Sequence, residues 1–280
     1  MRPAGRFGRL EVVRQLACGG MGGVYLAVDR DTRQRVALKV LDAQLADNPE
    51  IVERLASERT LTARANHDGV VRIFDVRTGN DGAPFLVMEY LEGETLATLA
   101  SRGSLELDLL TAIMARAAFA LASVHEAGVV HCDVKQDNIF VLDELAAGWP
   151  RVKVIDFGVS REVDAPPLPD AAIAGTPWCM APEQWGGRPT PKSDVYSLGC
   201  VLYELATGAP PFEGSLLELM AAHLERRPAR PSWLRAMPQP LERTILRALA
   251  KQPEVRPTMR ELAQELDRLT PPAFVTRKAG

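Results

Sequence analysis

The 280-residue sequence has few of the features that would commit it to a metal, a disulfide framework, a membrane or a polyanion. Its four cysteines, Cys18, Cys132, Cys179 and Cys200, form no CxxC pair and sit beside no histidine cluster, so neither a zinc site nor a redox pair is read from them. Free thiols suit a reducing compartment. No apolar run reaches the roughly 18 residues of a membrane span, and the opening MRPAGRFGRLEVV lacks the apolar core of a signal peptide. The expected location is therefore the cytoplasm, with no membrane partner. Thirty-three basic against 36 acidic side chains leave a net charge of -3, which gives no general attraction for nucleic acid, so any anion site has to be local. There is also no internal repeat and no low-complexity tract.

What is present is an ordinary globular composition, 46% hydrophobic and 25% charged, which points to a folded protein. From Arg9 to Val40 the β-branched runs VV, GVYLAV and VALKV alternate with turn residues and predict antiparallel strands. Ile51, Leu55, Glu58, Leu61 and Thr62 recur at helical spacing between Pro49 and Ala65, and VVRIFDV and PFLVMEY read as two further strands. After Gly93 the pattern turns helical. Leu110, Ile113, Met114, Ala117, Leu121 and Val124 make one apolar face of a long helix that Gly128 can end. Lys192–Ala206 is apolar nearly all round apart from Asp194, Tyr196 and Glu204, as for a buried helix, and Thr258 with Glu261 forms a capping box before Met259, Leu262, Leu266 and Leu269.

Four stretches carry chemistry. Cys18-Gly19-Gly20-Met21-Gly22-Gly23 joins two strands, and its glycines let the backbone approach a polyphosphate without a side chain in the way. Lys39 lies on the apolar strand Val36-Ala37-Leu38-Lys39 and needs an anionic partner if buried; Glu58 on the next helix is a candidate. His131-Cys132-Asp133-Val134-Lys135-Gln136-Asp137-Asn138 offers a proton acceptor, a phosphate counter-charge and a metal ligand within one loop. Val152-Lys153-Val154-Ile155 delivers Asp156-Phe157-Gly158 at a strand end, where a carboxylate suits Mg²⁺ held together with substrate phosphates.

With Ala181-Pro182-Glu183, these elements in this order resemble the protein-kinase signature set over about Arg9 to Leu269, and GGMGGVYLA and VALKVL look most like the bacterial, eukaryotic-like (Hanks-type) Ser/Thr kinases. The resemblance implies an α+β, bilobal fold with a small antiparallel-sheet N-lobe, one key helix and a larger helical C-lobe. It places a kinase domain at 9–270, with lobes of about 9–91 and 92–270, and a flexible tail at 271–280. It implies ATP and Mg²⁺ as cofactors, with Mn²⁺ as an alternative ion, and protein substrates bearing Ser or Thr.

By the same resemblance Gly19 and Gly22 cover the phosphates, Lys39 holds the α- and β-phosphates, and Glu58 pairs with Lys39. Asp133 takes the proton of the attacking hydroxyl, Lys135 steadies the γ-phosphate, Asn138 and Asp156 bind the metal, and Phe157 packs to set the active state. Val24 and Ala37 line the adenine slot, Met88 stands behind the base, and Glu89 to Leu91 form the hinge that reads it. Glu94 is either a ribose contact or a helix N-terminal acid. Lys135 with Gly175-Thr176 is similar to the Ser/Thr-specific kinases. Glu183 is expected to pair with Arg256, and Asp194 to tie the buried helix to the loop at His131.

Two positions depart from the pattern: Ala17 replaces the first glycine, and Cys132 replaces the usual arginine of His-Arg-Asp. That arginine serves elsewhere to hold a phosphorylated activation loop. Here Ser160 is the only hydroxyl side chain between Gly158 and Gly175. The expectation is a kinase that needs no phosphate on that loop, with Cys132 a small apolar filler rather than a redox switch. The rival readings are a pseudokinase scaffold and a small-molecule phosphotransferase.

Overall fold

The computed structural model describes residues 6–19, 22–42, 45, 48–79, 82–146, 148–168 and 175–271. Gly20 and Met21 of the glycine loop, and the tail beyond 271, lie outside them. Contacts divide the chain into two units. The described residues up to Arg64 together with Val71–Glu92 form one, and Ala65–Val70 with the described residues from Gly93 onward form the other.

The first unit is built on an antiparallel sheet of β1 (Arg6–Phe7), β2 (Leu10–Gly19), β3 (Gly22–Asp29), β4 (Arg35–Leu41), β5 (Ile73–Thr78) and β6 (Pro84–Glu89), in the order β1-β2-β3-β4-β6-β5. Strand alternation sorts its side chains onto two faces. Tyr25, Ala27, Val36, Leu38, Phe85 and Val87 share one face, which Phe7 and Leu10 close over, with the Phe7 and Phe85 rings 4.7 Å apart. Each buried Val, Leu or Phe of this set contributes roughly 1.5–3 kcal/mol. Leu86 on the opposite face packs with Leu41 and with Leu55 of helix α1 (Pro49–Arg64). The helical spacing noted above turns Leu55, Glu58, Leu61 and Thr62 inward, and all four are buried.

One strand starts later than its sequence suggests. VVRIFDV reads as continuous, yet β5 begins at Ile73, because Val70 is drawn into a parallel bridge with Val154. The Val154 N–H donates to the Gly69 carbonyl at 2.7 Å, and the Lys153 ammonium donates to the Val70 carbonyl at 3.4 Å.

The second unit contains the sheet β10-β9-β7, formed by β7 (Gly93–Thr95), β9 (Ile139–Ala146) and β10 (Trp149–Val154), and a ribbon pairing β8 (Val129–Val130) with β11 (Arg161–Glu162). Its helices are α2 (Leu96–Ala100), α3 (Leu107–Glu126), α4 (Pro182–Trp185), α5 (Pro191–Thr207), α6 (Leu216–Glu225), α7 (Pro231–Leu234), α8 (Gln239–Ala248) and α9 (Met259–Leu269). By length and mean hydropathy α3 could cross a membrane, although Asp108 and Arg116 interrupt its apolar run. It packs instead against α9, α5 and β10, with Leu110, Ile113, Met114, Leu121 and Val124 fully buried. Helix α5 is buried along most of its length, including Asp194 and Tyr196. Thr258 caps α9 by accepting from the Glu261 N–H, and the Glu261 carboxylate answers the Thr258 N–H at 2.7 Å.

Candidate catalytic and nucleotide-binding residues

In the first unit, strand register decides which groups share a face. Val24 pairs with Lys39, Lys39 with Leu86, and Ala37 with Met88. Directly paired residues point the same way, so Val24, Ala37, Lys39 and Met88 all stand on the face opposite the Phe7 core. The Lys39 ammonium meets both carboxylate oxygens of Glu58, at 2.9 and 3.2 Å, and Glu58 is only 2% exposed. The pair resolves the cost of a lysine on an apolar strand.

Gly19 and Gly22 close the β2–β3 ladder opposite each other. They differ in constraint. A Cβ on Gly19 would meet nothing within 4 Å, whereas one on Gly22, at φ +142°, would lie 2.0 Å from the Val40 carbonyl oxygen. Ala17, where the first glycine is usual, is exposed and pairs with Val24. At the other end of the unit the Glu89 N–H donates to the Arg72 carbonyl at 3.0 Å, so it is not a donor for a base. Leu91 is half-buried beyond it.

In the second unit, three side chains converge on one carboxylate. Asp133 Oδ1 accepts from the Thr176 hydroxyl at 2.6 Å, and Oδ2 accepts from the Lys135 ammonium at 2.7 Å and Asn138 Nδ2 at 3.2 Å. Lys135 also reaches Thr176 Oγ1 at 3.2 Å, while Asn138 Nδ2 donates to the Asp133 carbonyl at 2.9 Å. His131 Nδ1 accepts the Asp133 N–H at 3.3 Å, so the ring proton sits on Nε2, 3.2 Å from the Ile155 carbonyl.

The loop is fixed from below. Asp194 of α5, 1% exposed, accepts the backbone N–H of His131 at 2.8 Å and of Cys132 at 2.9 Å, and its Oδ2 is 2.7 Å from His125 Nε2. Cys132 is thereby held at φ +68°, a conformation that costs a non-glycine residue of order 1 kcal/mol. Its side chain is buried, and burial pushes the thiol well above its usual range, which fits a filler and not a redox switch. Gln184 bridges to the next segment, donating from Nε2 to the Cys132 carbonyl at 3.0 Å. Gly175 also approaches closely: a Cβ there would lie 2.9 Å from that same carbonyl.

Asn138 and Asp156 become neighbours through strand pairing. Ile139 opposes Val154, and the Ile155 N–H donates to the Asn138 carbonyl at 2.9 Å. Asp156 is exposed at φ +64°, and Phe157 is buried with its ring 4.7 Å from His131. Because Asn138 Nδ2 is turned to Asp133, its Oδ1 is the acceptor left for a cation. Among the described residues no three His, Cys, Asp or Glu side chains converge as a self-sufficient metal site. One amide oxygen with one carboxylate suits Mg²⁺ that completes its shell with phosphates and water.

The expected Glu183–Arg256 pair is present and bidentate, at 2.7 and 2.9 Å, with the Arg256 side chain fully buried. Glu94 pairs with Arg102 at 2.6 Å. Thr176 was expected only beside Gly175 as a feature of the Ser/Thr-specific kinases, and neither it nor His125 was expected to bond the site residues. Thr176 lies 43 residues from Asp133, and no local signal links them. His125 sits in the last turn of α3, like any helix-ending basic residue.

The chain matches the protein kinase domain family over residues 10–266. It is similar to "Serine/threonine-protein kinase Pkn1" of Myxococcus xanthus, at 40% identity over 256 residues, covering 90% of this chain and 36% of that protein. It is likewise similar to "Serine/threonine-protein kinase PknB" of Mycolicibacterium smegmatis, at 38% identity over 272 residues, covering 93% and 43%. A third relative is "Serine/threonine-protein kinase PknA" of Mycobacterium tuberculosis, at 37% identity over 257 residues, covering 89% and 58%. The chain thus spans about a third to three fifths of the length of these curated relatives.

Proposed function

The chain belongs to the protein kinase domain family, and on that premise we propose that it transfers the γ-phosphoryl group of ATP to Ser or Thr hydroxyls of proteins, within a kinase domain spanning 9–270. The observation that supports this best is the convergence of Thr176, Lys135 and Asn138 on Asp133. Mg²⁺-bound ATP supplies the electrophilic phosphorus, and the remaining work is positioning and charge neutralisation.

Asp133, oriented by its neighbours, accepts the proton of the acceptor hydroxyl as that oxygen attacks. Lys135 places a cation beside the same carboxylate, where it can neutralise the phosphoryl group in transit. Lys39, kept in place by Glu58, holds the α- and β-phosphates, Gly19 and Gly22 supply backbone at the phosphates, and Asn138 and Asp156 provide oxygen ligands for the metal. Val24, Ala37 and Met88 line the base, with Glu89 to Leu91 the hinge at its edge. The names of the relatives favour Ser/Thr acceptors, and the free thiols favour a cytoplasmic setting.

The same reading includes independence from activation-loop phosphorylation. Cys132 offers no positive charge, and Ser160, the only hydroxyl side chain from Gly158 to Gly175, already donates to the His131 carbonyl at 3.0 Å. Arg161 donates to the Pro166 carbonyl within the loop, and the Leu168 N–H donates to the Gly187 carbonyl at 2.8 Å, which ties the loop to the segment after α4. Phosphatase treatment is expected to leave activity unchanged; loss of most activity, regained as phosphate returns to that loop, overturns this point.

The class is tested with γ-labelled ATP, Mg²⁺ and a generic protein acceptor, beside Asp133→Asn and Lys39→Met. Label on Ser or Thr that both variants abolish is the expected result. Tight Mg-ATP binding without transfer to any protein means a scaffold instead, and label on small alcohols alone means a small-molecule phosphotransferase.

A further inference from the structure

Exposed apolar side chains are unevenly distributed over this protein. Of the ten large ones left exposed among the described residues, five lie between Leu216 and Leu234, with Leu217 at 72% and Trp233 at 75%. A cluster of this kind on a folded surface marks a contact site more often than chance. The same stretch carries Arg226, Arg227 and Arg230, all exposed; none makes a salt-bridge contact among the described residues, although Arg230 lies near enough to Glu242 to help the Ser232 hydroxyl hold its carboxyl below the usual range. Residues 224–235 hold four arginines against one glutamate, a local charge of +3 on a chain whose net charge is -3.

The stretch is also braced. Tyr203 donates its hydroxyl to the Ala229 carbonyl at 3.2 Å, and the Ser232 N–H and hydroxyl donate to Glu242 at 3.3 and 2.7 Å. Arg235 donates to the Leu105 carbonyl at 3.1 Å, and Pro228 and Pro231 stiffen the connection between α6 and α7. Side chains on a backbone fixed in this way lose less freedom when a partner arrives. Arginine and tryptophan together are the residues most often found to dominate protein interfaces.

We propose that this face docks an acidic segment of a partner polypeptide, with carboxylates on Arg226, Arg227 and Arg230 and an apolar side chain against Leu224, Trp233 and Leu234. Charge complementarity selects an acidic partner. The exposed Glu213, Glu218 and Glu225 in and beside the same stretch disfavour a uniformly anionic lipid surface or nucleic acid, which would be repelled by them. A polypeptide can place its charges individually. The inference does not depend on the catalytic reading, and its test needs no turnover.

The test titrates a fluorescein-labelled short peptide of alternating Asp/Glu pairs and Leu/Phe with the full chain at about 0.15 M salt. Its lysine-substituted counterpart, anionic phospholipid vesicles and a single-stranded DNA oligonucleotide are run in parallel. Saturable binding of the acidic peptide is expected, weakened at least about tenfold by R226E/R227E and separately by W233A. Both variants should melt as the parent does, since the changed side chains are exposed, and the lysine peptide should bind the charge-reversed variant better than the parent. Absence of binding below about 1 mM, equal binding by parent and variants, or binding to vesicles or DNA alone overturns the proposal.

Discussion

Replacing Asp194 by Asn separates the loop's support from its chemistry, because the change preserves shape and removes one acceptor. The carboxylate serves three donors: Oδ1 takes the Cys132 N–H, and Oδ2 takes the His131 N–H and faces His125 Nε2. An amide has one acceptor oxygen. Either the Cys132 N–H or the His131 and His125 donors must then face an NH₂ group. A buried N–H left unpaired costs about 1–3 kcal/mol, and the surviving bond weakens by up to about 1 kcal/mol on losing its charge. The sum, about 1–4 kcal/mol, corresponds to a melting point lower by about 2–16 °C for a domain of this size. Since Cys132 is held at φ +68° by this carboxylate, the loop should relax and move Asp133, and a misplacement near 1 Å costs roughly 100-fold in kcat. Circular-dichroism melting and initial rates at saturating ATP read the two effects, with KM for ATP little changed. A melting point and kcat equal to those of the parent would refute the account of the loop.

Arg256→Met should cost about 3–5 kcal/mol in urea unfolding, because it strands the Glu183 carboxylate and three backbone carbonyls that the buried guanidinium serves. Adding Glu183→Leu should recover part of that loss, and a double variant as unstable as the sum of the singles would contradict it. His223 is fully buried; burial, reinforced by the Lys251 ammonium, holds its pKa down to about 4. The folded state therefore binds fewer protons than the unfolded chain between about pH 6.5 and pH 4. Stability present above that window should fall by up to about 3 kcal/mol as pH drops through it. His223→Phe should flatten the acid side of a melting-point profile, and an unchanged slope would exclude His223 as its source. Finally, Cys18 is exposed while Cys132, Cys179 and Cys200 are buried with thiols pushed up by burial. A thiol reagent at neutral pH should titrate one group in the native protein and four in urea, so a second fast thiol in the native state would be inconsistent with the packing.

Local rules carried far where one element decides the outcome. Helical spacing turns Glu58 inward, and a carboxylate inside the otherwise apolar α5 signals a buried task for Asp194. The Thr258 and Glu261 capping box needs only four residues and is visible as such. Contacts between distant segments were not legible from local rules; Glu183 with Arg256 and Asp194 with the loop at His131 were expected only through the family resemblance. Val70 leaves its strand for a bridge with Val154, 84 positions away, and the Thr176 hydroxyl reaches Asp133 across the three intervening strands β9, β10 and β11 and a loop. His125 gains its role only when α3 and α5 pack. Propensity describes the segment, whereas these contacts are set by the tertiary arrangement.

The two glycines that face each other at the end of the β2–β3 ladder answer to different masters. Gly19 has room for a side chain, while Gly22 is wedged against the Val40 carbonyl. A descendant of this protein that lost all use for nucleotide would be at liberty to change the former and still be compelled to keep the latter. Retention of the second glycine in a relative is thus a mark of the sheet's architecture, and only retention of the first would speak for continued turnover.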